Sequence, residues 1–405
     1  LSDNAPHTPA TETDLAALIA DAAAKREPVL VQGAGTKLGM LRPVQAARAV
    51  STRGLEGVTL YSPKELVFGA RAGTRLVDVQ ATLAEQGQHL IAEPPDYAAL
   101  LGTEPGAQTW GGVVATNLSG PRRVAWGAVR DHVLGLRAID GMGEIRHAGG
   151  RVLKNVTGLD ICKLLTGSHG TLGVITEITV KVLPAPEATG SVVLAGLDAV
   201  RGVAALSAAL GSPYGVSGAA WLPAEAAARL GFATSVALAR IEDFAASVTY
   251  RLDRLRADLA PFGTPELLDE AASRAAWAAV RDATVLPAER GEAVWRVSVR
   301  PSRGPFVLAA AEAQGARGYL DWGGGLVMLA GPATSEAHAA ITAAARAAAG
   351  VWMLLRAPEP LRVSVDVVPE EPAPLRRIAA RVKAVMDPLG VLNPGRLGME
   401  KNVLF

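Results

Sequence analysis

Leu165-Thr-Gly167-Ser-His169-Gly170-Thr-Leu-Gly173-Val174-Ile175-Thr-Glu177 sets three glycines at intervals of three directly before an apolar run. From Val174 to Val182 that run alternates, with Ile178, Val180 and Val182 set against Glu177, Thr179 and Lys181. A period of two is that of a half-buried β-strand, one face to a core and one to solvent. The glycines before it make either a plain turn feeding the strand or a loop held close to something. Downstream, Leu183-Pro-Ala-Pro186 ends the strand and reads as a linker. Upstream, Val133 to Asp140 and Glu144 to His147 read as a strand and its return around the turn Gly141 to Gly143.

Two further glycine loops lie earlier in the chain. Asp14 to Lys25 reads as a helix and Pro28 to Gln32 as a buried strand, and Gly33-Ala34-Gly35-Thr36-Lys37-Leu38-Gly39 follows it as a loop. Small residues there let backbone N–H groups approach an anionic phosphate closely. The loop is not a dinucleotide fingerprint, because Leu38 stands where the third glycine belongs and Pro43 disrupts a following helix. Nor is it a P-loop, since Lys37 lacks the upstream glycine at the required spacing. A plain tight turn would use the same residues. Leu66 to Arg71 reads as a strand, and Arg75 to Gln86 as a helix closed by Gly87. Thr109-Trp-Gly111-Gly112-Val-Val-Ala-Thr116-Asn117-Leu-Ser-Gly120 then gives a backbone that can lie flat against a planar ligand. It serves equally as a glycine-rich helix start packed on a sheet.

The second half alternates longer helices with strands. Ile241, Phe244, Val248, Leu252, Leu255 and Leu259 step by threes and fours as one face of a helix. Thr264-Pro265-Glu266 reads as an N-cap, an N1 proline and a first-turn acid opening another helix. Trp295, Val297 and Val299 alternate with Arg296, Ser298 and Arg300 as a half-buried strand. Ser335 to Ala349 reads as a helix closed by Gly350, Val351 to Leu355 as a strand, and Leu375 to Met386 as a last helix. No internal repeat is visible in the residues.

Composition bounds the function. The 405 residues suit about two domains and can bury a large core. A net charge of +1, from 40 basic and 39 acidic residues, leaves no basic field for nucleic acid or acidic lipid. No apolar run is long enough to span a membrane, and Leu1 to Pro9 shows no secretory signal. The single cysteine, Cys162, excludes disulfide frameworks, zinc–cysteine sites and iron–sulfur clusters held by this chain. Six scattered histidines offer no metal-ligand spacing. The plain expectation is a cytoplasmic protein.

Taken together, the three loops carry a resemblance. Glu93-Pro-Pro95, Thr109-Trp-Gly-Gly112, Gly120-Pro-Arg-Arg123, Arg130-Asp131 with Val133-Leu-Gly135, Leu165 to Gly173, Asp321-Trp-Gly-Gly324 and Asn393-Pro-Gly-Arg396 run in one order from near the start almost to the end. In that order they resemble the vanillyl-alcohol oxidase superfamily, with its FAD-binding domain of p-cresol methylhydroxylase type. Within it the chain is similar to the FAD-binding E subunits of bacterial glycolate oxidase. The resemblance implies an α+β fold: a two-subdomain FAD-binding domain over residues 1–185, then an α+β cap domain with an antiparallel sheet over 186–405. Residues from about 375 to 405 would return to the flavin pocket.

The resemblance also assigns roles to positions that match. Gly33, Ala34, Gly35, Thr36, Lys37 and Leu38 would wrap the FAD pyrophosphate with backbone N–H groups. Thr109, Gly111 and Gly112, then Thr116, Asn117 and Gly120, would line the flavin and its ribityl chain, with Pro94 among the cofactor contacts. Gly170, Gly173 and Ile175 would meet the adenosine half, and Asn393 and Arg396 would close the pocket. FAD is expected to be non-covalent, because the first loop holds no histidine or cysteine. The implied function is oxidation of glycolate or a related D-2-hydroxy acid to the 2-oxo acid. The implied partners are a homologous FAD-containing catalytic subunit and an iron–sulfur subunit, which could hold the chain peripherally at the inner membrane. Two alternatives stand beside it: an independent FAD-dependent D-2-hydroxy acid dehydrogenase, and a non-catalytic assembly subunit with structural FAD.

Several residues carry no assigned chemistry. His132 and His169 read as hydrogen-bonded loop residues, and Lys154 and Lys163 as surface or ion-pair residues. Arg122 and Arg123 could hold a substrate carboxylate or simply pair with acids. The catalytic relatives carry a histidine-rich metal run in the second half, where this chain has only His338. No catalytic residue and no metal ligand can be named.

Overall fold

The computed structural model describes residues 5–150 and 159–398. Lys154, named above, lies outside the described residues. The helix Glu12–Lys25 opens on Thr11, whose hydroxyl accepts from the Asp14 N–H, and ends at Arg26 in the left-handed region. Its apolar stripe, Leu15, Ile19 and Ala22, packs with Val29, Val50, Leu55 and Leu392. Beside it the strand Val29–Gln32 pairs in parallel with Arg48–Ser51. Leu392, from the far end of the chain, bridges Val29 in parallel on the same small sheet.

A second sheet has the order Val58–Ser62, Val67–Arg71, Val174–Lys181, Val133–Ile139, Ile145–Gly149, every pair antiparallel. The alternation read in the sequence points Ile178 and Val180 into a core with Phe68, Val79, Leu83, Trp110 and Val113. Two helices, Leu76–Ala84 and Trp110–Thr116, contribute to that core. They bring the glycine-rich helix start beside the small parallel sheet. Leu183-Pro184, read as linker, pairs as a two-residue strand with Gln88–His89 before the chain leaves this unit.

The next unit is an eight-stranded antiparallel sheet, ordered Pro265–Leu268, Ala188–Ala195, Val236–Asp243, Val216–Leu222, Arg317–Asp321, Leu326–Gly331, Ala293–Ser298, Val351–Arg356. It is built twice. The strands at 188, 216, 236 and 265, with the helices Ala199–Gly211 and Ala245–Leu259, make one β-α-β-β-α-β unit. Those at 293, 317, 326 and 351, with Gly304–Glu312 and Ser335–Ala347, make another. The two join where their second strands meet, Trp221 opposite Leu320. The sequence reading found no repeat; the repetition lies in element order and burial, and each copy fills its core with different apolar residues.

Three local readings need correction. Pro265 lies in an edge strand against Leu194, not at a helix start. An edge position tolerates the missing N–H, and the helix Glu270–Arg281 opens later, capped by Asp269. Ile241 belongs to the strand Val236–Asp243, whose residues 236–241 are all buried, and Phe244 precedes the helix Ala245–Leu259 and stays exposed; the end of this buried strand happens to fall at helical spacing from Val248. The helix from Ser335 ends at Ala347, and Ala349, not Gly350, takes the left-handed conformation.

Candidate functional site

A cavity opens where three segments meet: the loop after Gln32, the helix Trp110–Thr116 and the loop before Val174. The first loop is pressed onto the helix. A Cβ at Gly33 would collide with the hydroxyl of Thr109, and Thr109 caps the helix by accepting from the Gly112 N–H at 3.3 Å. Gly35 sits at φ 76, a left-handed conformation that favours glycine. Gly111 packs on Ala72, where a Cβ would stand 2.6 Å from the alanine methyl.

The chain's late return locks these segments. Asn393 accepts from the Val31 N–H at 2.8 Å and donates to the carbonyls of His169 at 2.8 Å and Val31 at 3.2 Å. Arg396 donates to the carbonyls of Lys37 at 2.6 Å, Arg42 at 3.1 Å and Leu38 at 3.3 Å. One amide and one guanidinium therefore hold the parallel strand, the first loop and the third loop in register.

The wall is cationic. The Lys37 ammonium donates to Oε1 of Gln108 at 2.9 Å, and Gln108 is fixed in turn by donating to the Pro95 carbonyl. Burial pulls Lys37 down to about 8 and Arg396 down to about 10. Burial, then Arg396 and Lys37, pull His169 down to about 3, so its imidazole is neutral. Among the described residues no Asp or Glu lines the cavity, and neither Lys37 nor Arg396 has a carboxylate at ion-pair distance. Oε1 of Gln32, also on the wall, is buried without a donor. Two buried cations, an orphan acceptor and a backbone-rich loop fit a ligand that brings its own negative charge and some hydrogen-bond donors.

The residues singled out in the sequence divide. Gly33, Ala34, Gly35, Thr36, Lys37, Leu38, Thr109, Gly111, Gly112, Thr116, Gly170, Gly173, Ile175, Asn393 and Arg396 all line the cavity. Pro94, Asn117 and Gly120 do not. Asn117 closes the helix at φ 51 and accepts from the Arg130 N–H. Gly120 accepts from the indole of Trp322 at 3.1 Å, which ties the first unit to the second. The sequence reading missed Val31, Gln32, Thr52, Ala115 and the cavity-facing place of His169. Only Gln32, a polar residue ending an apolar strand, carried a signal. Cys162 is buried off the wall, its thiol pushed up to about 11 by burial. His338 accepts from the indole N–H of Trp295 at 3.1 Å.

The two units share a buried charge network. Arg122 forks onto Glu242 at 2.7 and 3.0 Å and meets Nδ1 of His89 at 2.9 Å. Arg240 forks onto Glu93 at 2.9 and 3.0 Å. Burial alone would raise Glu242, but Arg240 and Arg122 hold it down to about 2. Arg122 is thus a paired residue. Arg123, its neighbour, turns its guanidinium over the ring of Trp322.

Comparison with known proteins agrees with this geometry. The FAD binding domain family matches residues 5–149. Over 377 residues the chain is 34% identical to glycolate oxidase subunit GlcE of Escherichia coli K12, spanning 93% of this chain and 94% of that one. It is 30% identical to glycolate oxidase subunit GlcD of Bacillus subtilis over 163 residues, 40% of this chain but only 33% of that relative. The fold superposes on a crystal structure of p-cresol methylhydroxylase with substrate bound, with a TM-score of 0.72 and 12% identity, covering 98% of this chain and 89% of that one.

Proposed function

The chain belongs to the family of the glycolate oxidase subunit GlcE, FAD-dependent oxidoreductases with a p-cresol methylhydroxylase-type fold, and from that premise we propose that it is the FAD-carrying subunit of a glycolate oxidase-like assembly. The assembly oxidises glycolate or a related D-2-hydroxy acid to the 2-oxo acid, and electrons leave through an iron–sulfur partner. The observation that carries this reading is the acid-free, doubly cationic cavity in a chain that matches GlcE over almost its whole length.

The residues present fit FAD. Gly33 to Leu38 would cradle the diphosphate, with the Lys37 ammonium and the Arg396 guanidinium supplying positive charge nearby. Thr109, Gly111, Gly112 and Thr116 would lie along the flavin and ribityl chain, and Gly170, Gly173 and Ile175 along the adenosine. Asn117 and Gly120 would act one step removed, Asn117 by holding the Arg130 N–H in the first unit and Gly120 by accepting from Trp322 of the second, and Pro94 lies off the cavity wall. FAD, when bound, takes two electrons from a carbon bearing a hydroxyl and can release them one at a time.

The chain's own groups set a limit. His169, the histidine on the wall, is held neutral by burial and by two nearby cations. Lys37, lowered to about 8, is the other titratable group among the described residues of that wall whose value lies near neutral, and it stays mostly protonated at pH 7. A single cysteine cannot ligate an iron–sulfur cluster. The multi-subunit reading is further supported by the helix Ala373–Met386, which buries none of its residues. Leu375, Ile378 and Val385 stand 51%, 58% and 78% exposed on it, an apolar stripe that the described residues leave uncovered. Dye reduction with glycolate and D-lactate, measured on the FAD-replete chain alone and after adding the partner subunits, tests the proposal. Activity should need the partners, and equal activity from the chain alone would make it an independent dehydrogenase.

A further inference from the structure

We propose that Arg123 and Arg296, packed against the indole of Trp322 at the seam between the two units, form a binding site for a small 2-hydroxy or 2-oxo carboxylate. The choice of ligand rests on the function proposed above; the site itself rests on charge that the described residues leave unbalanced.

The guanidinium carbons of Arg123 and Arg296 lie 4.7 and 4.9 Å from the centroid of the Trp322 ring. The two positive charges are therefore within about 10 Å of each other on one aromatic seat. Neither has a carboxylate at ion-pair distance among the described residues. The contrast with Arg122 and Arg240, each forked onto a glutamate at the same seam, is direct.

The acids near the pair do not neutralise it. Asp321 accepts from the Trp322 N–H at 2.7 Å, and burial pushes its carboxyl up to about 7, so it carries only part of a charge at neutral pH. Asp131 spends an oxygen on the Ala128 N–H at 2.8 Å and reaches Arg123 only through space. Arg130 adds a third positive charge nearby. Burial, and then Arg296, pull Arg123 down from its ordinary value, which is the cost of placing like charges together in a half-buried site. Nε of Arg296 is buried without an acceptor. The Tyr97 hydroxyl oxygen accepts a hydrogen bond from Arg296, and burial holds the hydroxyl up to about 12, so its O–H remains a donor.

Two guanidinium groups without a carboxylate partner, a phenol donor and an indole plate make a receptor with donors in excess of acceptors. A small carboxylate supplies the missing acceptors, and a planar guanidinium matches its two oxygens as a fork. The α-hydroxyl or α-oxo oxygen adds one more acceptor for Tyr97 or the second arginine. The parts come from both units, and the Trp322–Gly120 hydrogen bond fixes the indole across the seam.

The test is calorimetric titration of the FAD-replete chain with glycolate and glyoxylate at fixed ionic strength, with ethylene glycol as the uncharged control. Glycolate and glyoxylate should bind and ethylene glycol should not. Arg123→Gln and Arg296→Gln should each weaken binding by about tenfold or more, with FAD content unchanged. Arg296→Lys keeps the charge without the fork and should lose less than Arg296→Gln, which covers the case in which the glutamine variant misfolds. No binding to the unaltered chain, or equal affinity in the Arg123→Gln/Arg296→Gln double variant, overturns the site. So does a double variant that loses its partner subunits but binds glycolate normally, since the arginines would then face a protein. If the assembled complex oxidises glycolate while this chain binds no carboxylate, the site falls and the proposed function stands. Carboxylate binding without turnover in any assembly has the opposite meaning.

Discussion

The side-chain amide of Asn393 donates to the carbonyl oxygen of His169 at 2.8 Å across 224 positions of sequence. The same side chain takes the N–H of Val31 and donates to its carbonyl. A residue near the end of the chain thus fixes the spacing between the first strand and the third glycine loop, and with it the width of the cavity. Asn393→Ala removes all three bonds and strands the Val31 N–H and the His169 carbonyl. Stability should fall by about 2–4 kcal/mol in denaturant unfolding, and FAD occupancy should fall with it. A loss below about 1 kcal/mol with full occupancy would mean that the cavity is held by something else.

Lys37 predicts a pH dependence of cofactor binding. Its value in the folded chain is about 8, against an ordinary 10.5. Between those values the unfolded chain holds a proton that the folded chain has released, so the FAD-free chain gains stability as pH rises through that window. Bound phosphates favour the protonated amine, so FAD affinity should fall as pH climbs past about 8. Lys37→Met should weaken FAD binding by roughly tenfold at pH 7 and flatten the dependence above pH 8. Fluorescence titration with FAD across pH reads both; an unchanged profile in the variant would assign the cation's role to Arg396 alone.

Gly33→Ala puts a methyl group into the Thr109 hydroxyl, and Gly35→Val puts a branched side chain at φ 76. Each should cost about 1–3 kcal/mol and lower FAD occupancy. The flavin should also leave with acid or heat, since the loop carries no histidine or cysteine. Flavin that stays on the denatured polypeptide would refute that.

At the seam, Glu242→Gln leaves the buried Arg122 facing a neutral partner, which should destabilise the chain by about 3–5 kcal/mol. Glu242 is depressed from 4.5 to about 2, so its contribution is fully present above pH 4.5 and is lost as pH falls toward 2. Acid unfolding between those values should shift toward neutral pH in the variant. Coincident acid transitions for the two proteins would show that the Arg122 pairing adds nothing.

Elemental analysis of the purified chain should find no stoichiometric zinc or manganese. Among the described residues no group of three His, Cys, Asp or Glu is placed to hold a metal, and His338 is already engaged by Trp295.

The sequence disclosed what depends on local backbone. Val174 to Lys181 alternates because its neighbours force it to, and the glycines at 33, 35, 111, 112, 170 and 173 mark places where the chain is crowded or turned. It could not disclose which partner a long side chain takes. Arg122 and Arg123 are adjacent and identical in type, yet one meets Glu242 and the other Trp322, both more than a hundred residues away. Arg296 looked like the polar face of a strand, because its value comes from what packs over it. The doubled β-α-β-β-α-β unit was hidden for a related reason: a core asks for apolar volume at given positions, not for given residues. Pro265 misled because the same proline suits a helix start and an edge strand.

On the proposed function, FAD occupies the cavity between Gly33–Leu38, Thr109–Thr116 and His169–Ile175, closed by Asn393 and Arg396. A crystal structure of the FAD-loaded chain tests it most directly. One FAD per chain is expected, with diphosphate oxygens within hydrogen-bond distance of the Gly33–Leu38 backbone and the Lys37 ammonium close to the bound cofactor. A flavin seated elsewhere, or a diphosphate that leaves this loop untouched, would contradict it.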